Sequence, residues 1–452
     1  MNRRLTLAGS VVGAMVVALD GTVLTIARPT LQQDLGASLV EAQWTGTGYL
    51  IAVAGLLVFA GRLGDRYGQQ RLFGIGMVGF GLTSAAIGLA PDVGWVIGLR
   101  VVQGVFGALL QPATLGMLRA AYPPDRLRMP IAVRTSSIGL AAAAGPVLGG
   151  ALAAGPGWRA VFFLNVVPTL LLGGLALVIR DPGGRPAPRP VPLDVPGVVL
   201  LAVALACLTH ALVTLPAGSW AVAALGVVAA VAFVAHERRA ASPLVPSDVI
   251  GQPSVAAALG VLVAASAALN GTLFVAAYLL QDTFGLDPVQ TGLRALPLAA
   301  AMILAAPLAA VLPGRFGPRV TTVTASGVLA AGILVLRAAH GTPAVCTGFA
   351  LIGAGFGTVM VTATHVVVRR APVGSAGVAG GLQQTAMNVG PTLGVAGAAT
   401  LTGAGGGHAV ALGALAGVAG VAVLIGRLLP KRSELALHPD QPEDRAPVPE
   451  RR

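Results

Sequence analysis

Charge is what this chain has least of. Only 10% of its 452 residues are charged, against roughly 25% in a typical soluble domain. Lysine is nearly absent: Lys431 stands alone and follows Pro430, so no phosphate-binding P-loop can form, and a P-loop ATPase is excluded. Aromatics make up 4% and do not alternate with the basic residues. The net charge of +12 is therefore scattered arginine rather than a nucleic-acid surface. The two cysteines, Cys207 and Cys346, lie in apolar runs, which excludes a disulfide framework or a zinc site. No His/Asp/Glu cluster has metal-ligand spacing, and no enzyme motif or cofactor site is expected.

What is present is apolar. Hydrophobic residues make up 55% of the chain, and the mean hydropathy is +0.82. No single soluble core can bury that much, so the bilayer is the expected solvent and membrane lipids are expected partners. The 62 glycines suit helices packed closely through small residues. The first apolar run is about 22 residues, longer than the roughly 7–15 of a signal peptide's apolar core, so it is expected to remain as a span.

Runs long enough to cross a membrane, about 17–25 residues, recur near 5–27, 43–61, 72–90, 94–118, 131–154, 160–179, 195–215, 219–236, 254–280, 291–312, 319–337, 343–367, 376–402 and 408–429. Fourteen spans are expected. With a cytoplasmic N-terminus, the inner loops hold arginines such as Arg62, Arg66, Arg119, Arg128, Arg134, Arg315 and Arg369. The outer ends hold only Arg28, Arg159, Arg294 and Arg337. That asymmetry places both termini in the cytoplasm. Residues from 431 to 452 are polar and read as a disordered cytoplasmic tail. Arg66-Tyr67-Gly68 and Arg315-Phe316-Gly317 hint at an internal repeat, the kind of duplication that builds secondary transporters.

Four stretches carry the chemistry. In "GRLGDRYGQQR", Gly61 to Arg71, Gly61 and Gly68 permit a tight connection, while Asp65 accepts hydrogen bonds and Arg66 pairs with acids or lipid. In "LRVVQGVFG", Leu99 to Gly107, Arg100, Gln103, Gly104 and Gly107 share a helix face. Arg100 is either a functional intramembrane charge or an arginine snorkelling to the surface. In "GPVLGG", Gly145, Pro146, Gly149 and Gly150 kink a helix and allow close packing. In "VALDGTVLTIARPT", Val17 to Thr30, Asp20 is the sole acid expected in mid-span. It suits a proton carrier with Arg100 as its partner, or a structural pin between helices.

These stretches resemble the major facilitator superfamily. The first is similar to its signature loop between spans two and three, with Gln69-Gln70 in place of the usual basic pair. The second is similar to the fourth-span motif whose arginine assists proton transfer. "GPVLGG" resembles the antiporter motif of span five. Leu19, Asp20, Thr22, Ala27 and Pro29 resemble the first-span motif of drug:proton antiporters, with Thr25 and Arg28 as departures.

The resemblance implies an all-α integral membrane protein with the fourteen-span architecture. Six-helix bundles over 1–180 and 254–430 would flank two inserted spans over 181–253. It further implies an inner-membrane exporter of small lipophilic cargo, working as a monomer and driven by proton exchange. Asp20 and Arg100 would couple the proton, and Gly61, Asp65, Arg66 and Gly68 would form a gate. Gln103, Trp44, Asn270, Gln384 and Asn388 are candidate cavity residues; plain helix packing is the competing role. His365 is expected to titrate near the inner surface. A nutrient uniporter or symporter is the rival within transport, and Gly145 to Gly150 argues against it. A transport-dead sensor is the rival outside it.

Overall fold

A computed structural model describes residues 3–123, 126–179, 194–214, 220–240, 243, 251–286, 288–370, 376–402 and 407–431. The tail expected beyond Lys431 and most of the two linkers around the inserted segment lie outside the described residues.

The described residues form fourteen α-helices and no strand. They are α1 (Arg3–Asp34), α2 (Leu39–Tyr67), α3 (Gln69–Gly88), α4 (Val93–Ala121), α5 (Arg128–Ala154), α6 (Trp158–Val178), α7 (Val195–Thr214), α8 (Trp220–Glu237), α9 (Pro253–Tyr278), α10 (Pro288–Phe316), α11 (Pro318–Arg337), α12 (Thr342–Arg370), α13 (Ala376–Leu401) and α14 (Gly407–Gly426). One π-helical stretch, Leu279–Thr283, ends α9. Each expected apolar run coincides with one helix. Eleven described segments are long and apolar enough to cross a membrane; α5 and α13 are not among them, and α7 supplies only a shorter apolar stretch, Val195–Leu208.

Local chemistry sets several helix ends. Ser38 and Glu41 form a reciprocal capping box at the start of α2. Asp92 accepts the Trp95 amide and starts α4. Gly68 alone joins α2 to α3, and Gly317 alone joins α10 to α11, with φ of 96° and 87°. A side chain at either would strain a left-handed turn. Arg66 lies over the Tyr67 ring at 5.3 Å and Arg315 over the Phe316 ring at 5.5 Å. The two loops thus share backbone form and side-chain placement, as an internal repeat would.

The molecule is apolar outside and locally polar inside. Leu304, Leu308 and Val311 make an exposed row on α10, at the spacing of one helix face. On α8 the valines at 227, 228, 231 and 234 are exposed, while Gly226 and Ala229 are buried against α7. Conversely, Asp20, Arg100, Gln103, Arg134, Asn165 and Gln383 are buried. In α1–α6 the main pairings are α1 with α5, α2 with α4, and α3 with α4 and α6. In α9–α14 they are α9 with α13 and α14, α10 with α12, and α11 with α12 and α14. The two groups meet chiefly where α2 touches α13 and α5 touches α10, and α7 packs on α2 and α8.

Candidate functional site

At the heart of the first group, Asp20 of α1 is 2% exposed and Arg100 of α4 is 1% exposed. Arg100 Nη1 donates to Asp20 Oδ2 at 2.6 Å and to Gln103 Oε1 at 2.6 Å, while Nε donates to the Thr45 carbonyl of α2 at 2.9 Å. Asn165 Nδ2, from α6, donates to Asp20 Oδ1 at 3.1 Å. Gln103 Nε2 donates to Ser84 Oγ of α3 at 2.6 Å. The guanidinium carbon lies 4.3 Å from the Tyr49 ring centroid, within cation–π reach. One ion pair thereby ties five helices. A pair buried in low dielectric holds together only with such supporting hydrogen bonds.

Sequence reading reached Asp20, Arg100 and Gln103, and the structure brings all three together. It missed Asn165, Ser84 and the backbone carbonyl of Thr45. Asn165 lies in "WRAVFFLNVVP", Trp158 to Pro168, but nothing in that run says which way the asparagine faces.

The helix with "GPVLGG" packs on α1 two and three residues past Asp20. A Cβ on Gly145 would overlap the Thr22 side chain, and one on Gly149 would touch Val23. Hence α5 lies close against α1 along this stretch. The Pro146 and Gly150 side positions and the Arg28 side chain lie outside the described residues.

The loop residues build a contact between the two groups. Asp65 Oδ1 accepts the Gly377 amide at 2.7 Å, and Oδ2 accepts the Val378 amide at 3.1 Å, both at the start of α13. Gln69 Nε2 donates to Asp65 Oδ1 at 2.8 Å. Gln70 Nε2 donates to the Ala176 and Ile179 carbonyls at the end of α6. The two glutamines that replace a basic pair thus brace Asp65 and finish α6. Gly61 meets Gly377 backbone to backbone. A further contact ties α1 to α6 within the first group. Asp34 accepts from Trp158 Nε1 at 2.9 Å and from Arg159. The Trp158 hydrogen bond, then the Arg159 one, holds the Asp34 carboxyl below its usual value.

The remaining candidates separate. Gln384 of α13 donates to Gln111 of α4 across the seam, and Asn388 Nδ2 donates to the Gln384 carbonyl at 2.9 Å. Asn270 bonds within its own helix, to the Ser266 carbonyl at 3.0 Å. Trp44 stacks on His210 of α7 at 5.4 Å. His365 is 4% exposed rather than at a surface. Arg134, expected in a loop, is 2% exposed within α5. A cleft of about 600 Å³ opens between the start of α5 and the end of α10, lined by Arg126, Arg128 and Arg315.

The family model of the Major Facilitator Superfamily matches residues 11–394 and 257–451. The tetracenomycin C resistance and export protein of Streptomyces glaucescens is 42% identical over 402 residues, covering 86% of this chain and 74% of that one. The puromycin resistance protein pur8 of Streptomyces alboniger is 36% identical over 397 residues, covering 84% and 78%. Among solved structures, the human organic anion transporter MFSD10 (TETRAN) matches with a TM-score of 0.69 over 94% of this chain and 100% of that one; at 16% identity this shows the fold alone. The chain is a multi-pass membrane transporter, not an enzyme, and belongs to the Major Facilitator Superfamily.

Proposed function

We propose that the chain is a proton-driven exporter of lipophilic drugs, antibiotics or metabolites in the bacterial cytoplasmic membrane. In this reading all fourteen helices span, and both termini face the cytoplasm. Helices α1–α6 and α9–α14 are two bundles that rock about a central cavity, with α7 and α8 as an insertion. The protein acts as a monomer and needs no cofactor beyond the proton gradient. The names of the relatives support export and resistance. The buried pair of Asp20 and Arg100 carries the coupling assignment.

The mechanism follows from that pair. A proton arriving on Asp20 cancels the charge that holds Arg100. Arg100 retains Gln103 Oε1 and the Thr45 carbonyl, which it already contacts. α1 is then released from α4. The movement passes to α5 through the Thr22–Gly145 contact, and α5 meets α10, where Ser136 Oγ donates to the Ile303 carbonyl at 3.2 Å. At the inner face, Asp65 clasps α13, so Gly61, Asp65, Arg66 and Gly68 form the gate that opens when cargo loads.

Resistance profiling of a sensitive host with and without the gene selects the cargo. The purified protein in liposomes with an imposed pH gradient then tests the coupling. Wild type should move protons against cargo, and Asp20→Asn should carry cargo only down its own gradient. Proton movement by Asp20→Asn at the wild-type rate would remove Asp20 from the mechanism.

A further inference from the structure

Arg134 is a buried charge that the Asp20 centre does not use. It stands in the second turn of α5, and its Nε donates to Thr114 Oγ1 of α4 at 3.2 Å. Among the described residues no carboxylate pairs with it and no other hydrogen bond engages its guanidinium. A buried charge without a counter-ion is costly, and a guanidinium cannot escape that cost by shedding its proton. Intramembrane charges of this kind persist where function needs them.

Its neighbours say what it faces. Ile131 and Ile138 lie three residues before and four after it, on the same face of α5. Ile131 packs with Ala306 and Ala309 of α10. Ile138 packs on the apolar cluster of the second bundle that contains Met302. Thr114 is one turn from Gln111, which bonds Gln384 across the seam. The guanidinium therefore lies between α5 and α4, beside the seam, on a helix whose Ile131 and Ile138 pack on the opposing bundle.

We propose that Arg134 recognises an anionic group, a carboxylate or an acidic phenol, on an amphipathic cargo when α5 and α10 part. Ile131 and Ile138 then cover the apolar body. The guanidinium fork suits two parallel hydrogen bonds to such an anion. This inference rests on the exporter reading for the cargo's passage, but not for its binding.

The test uses the purified full chain and three probes with one ring system: 2-naphthoate, its methyl ester and 2-naphthylmethylammonium. Wild type is expected to bind the anion about tenfold more tightly than the ester, the scale of one charged hydrogen bond. Arg134→Gln should erase that preference while its thermal midpoint without ligand stays at or above wild type. Arg134→Lys should keep part of it, and decides the matter if Arg134→Gln does not fold. Binding none of the probes, preferring the ammonium, or an undiminished anion preference in Arg134→Gln overturns the proposal. Arg134-dependent binding without gradient-driven transport in liposomes would instead overturn the exporter reading and leave the anion site standing. Gradient-driven export of neutral and cationic compounds alone would do the reverse.

Discussion

Gly61 of α2 and Gly377 of α13 touch through their backbones: a Cβ on either would overlap the carbonyl oxygen of the other. No other residue type permits that approach, and it brings the Gly377 amide to 2.7 Å from Asp65. Gly61→Val should hold the two helices apart. The expected result is a folded protein whose transport falls at least about tenfold, the equivalent of roughly 1.4 kcal/mol. A cysteine pair across α2 and α13 should also crosslink more slowly. Unchanged crosslinking and transport would mean that the contact does not matter to the cycle.

The members of the Asp20–Arg100 pair should not be equivalent when removed. Arg100→Met leaves a carboxylate that can take up a proton and become neutral. Asp20→Asn leaves a guanidinium that cannot. Breaking a buried pair from one side costs about 3–5 kcal/mol. Asp20→Asn should therefore lie at the costly end and Arg100→Met below it, with Asp20→Asn/Arg100→Met more stable than Asp20→Asn alone. Thermal midpoints in detergent would decide. Equal losses from the two single variants would show that burial at this centre is less complete than the geometry indicates.

The contact of α5 with α1 is a matter of volume. Gly145→Ala places a methyl group against Thr22, and overpacking of this kind costs about 1–3 kcal/mol. Thr22→Gly should be tolerated better, and Thr22→Gly/Gly145→Ala should recover most of the loss. That non-additivity is what neighbouring sites show. Strictly additive losses would place the two residues apart.

Asp34 gives a pH prediction at the contact between α1 and α6. Its carboxyl is held below the usual value of 3.8 by Trp158 and Arg159. A lowered value means the stabilisation is fully present above the ordinary carboxylate range and is lost only as pH falls through it. The effect of Asp34→Asn on stability should thus be the same anywhere between about pH 5 and 8. A contribution that faded within that window would show another group titrating there.

The helices were readable because a bilayer demands long apolar runs and loops must carry the charge. Asp20 and Arg100 were readable as charges where none is solvated. Asn165 and Ser84 were not, since an uncharged polar residue in a span reveals nothing about the face it presents, and Asn165 is 145 positions from Asp20. Arg134 was misplaced for a different reason. It follows Arg126 and Arg128 closely and looked like one more loop arginine. Its own burial and its bond to Thr114 put it inside, within the run expected over 131–154. Gln69 and Gln70 read as a weakened version of a basic pair, yet they hold Asp65 and the end of α6 by hydrogen bonds that need no charge.

The salt bridge at the centre has an electrical consequence. With Asp20 ionised, the pair with Arg100 sums to zero, and that centre can shift across the bilayer without feeling the membrane potential. Once the proton has arrived, the same centre carries one positive charge. Moving it is then worth about 2.3 kcal/mol per 100 mV for full passage. On the proposed assignment, voltage acts on this centre only in the protonated half of the cycle; the other half feels it only through the charge of the cargo. With a neutral cargo, collapsing the potential while keeping the pH difference should slow the return stroke alone, and a voltage-independent cycle would place the proton elsewhere.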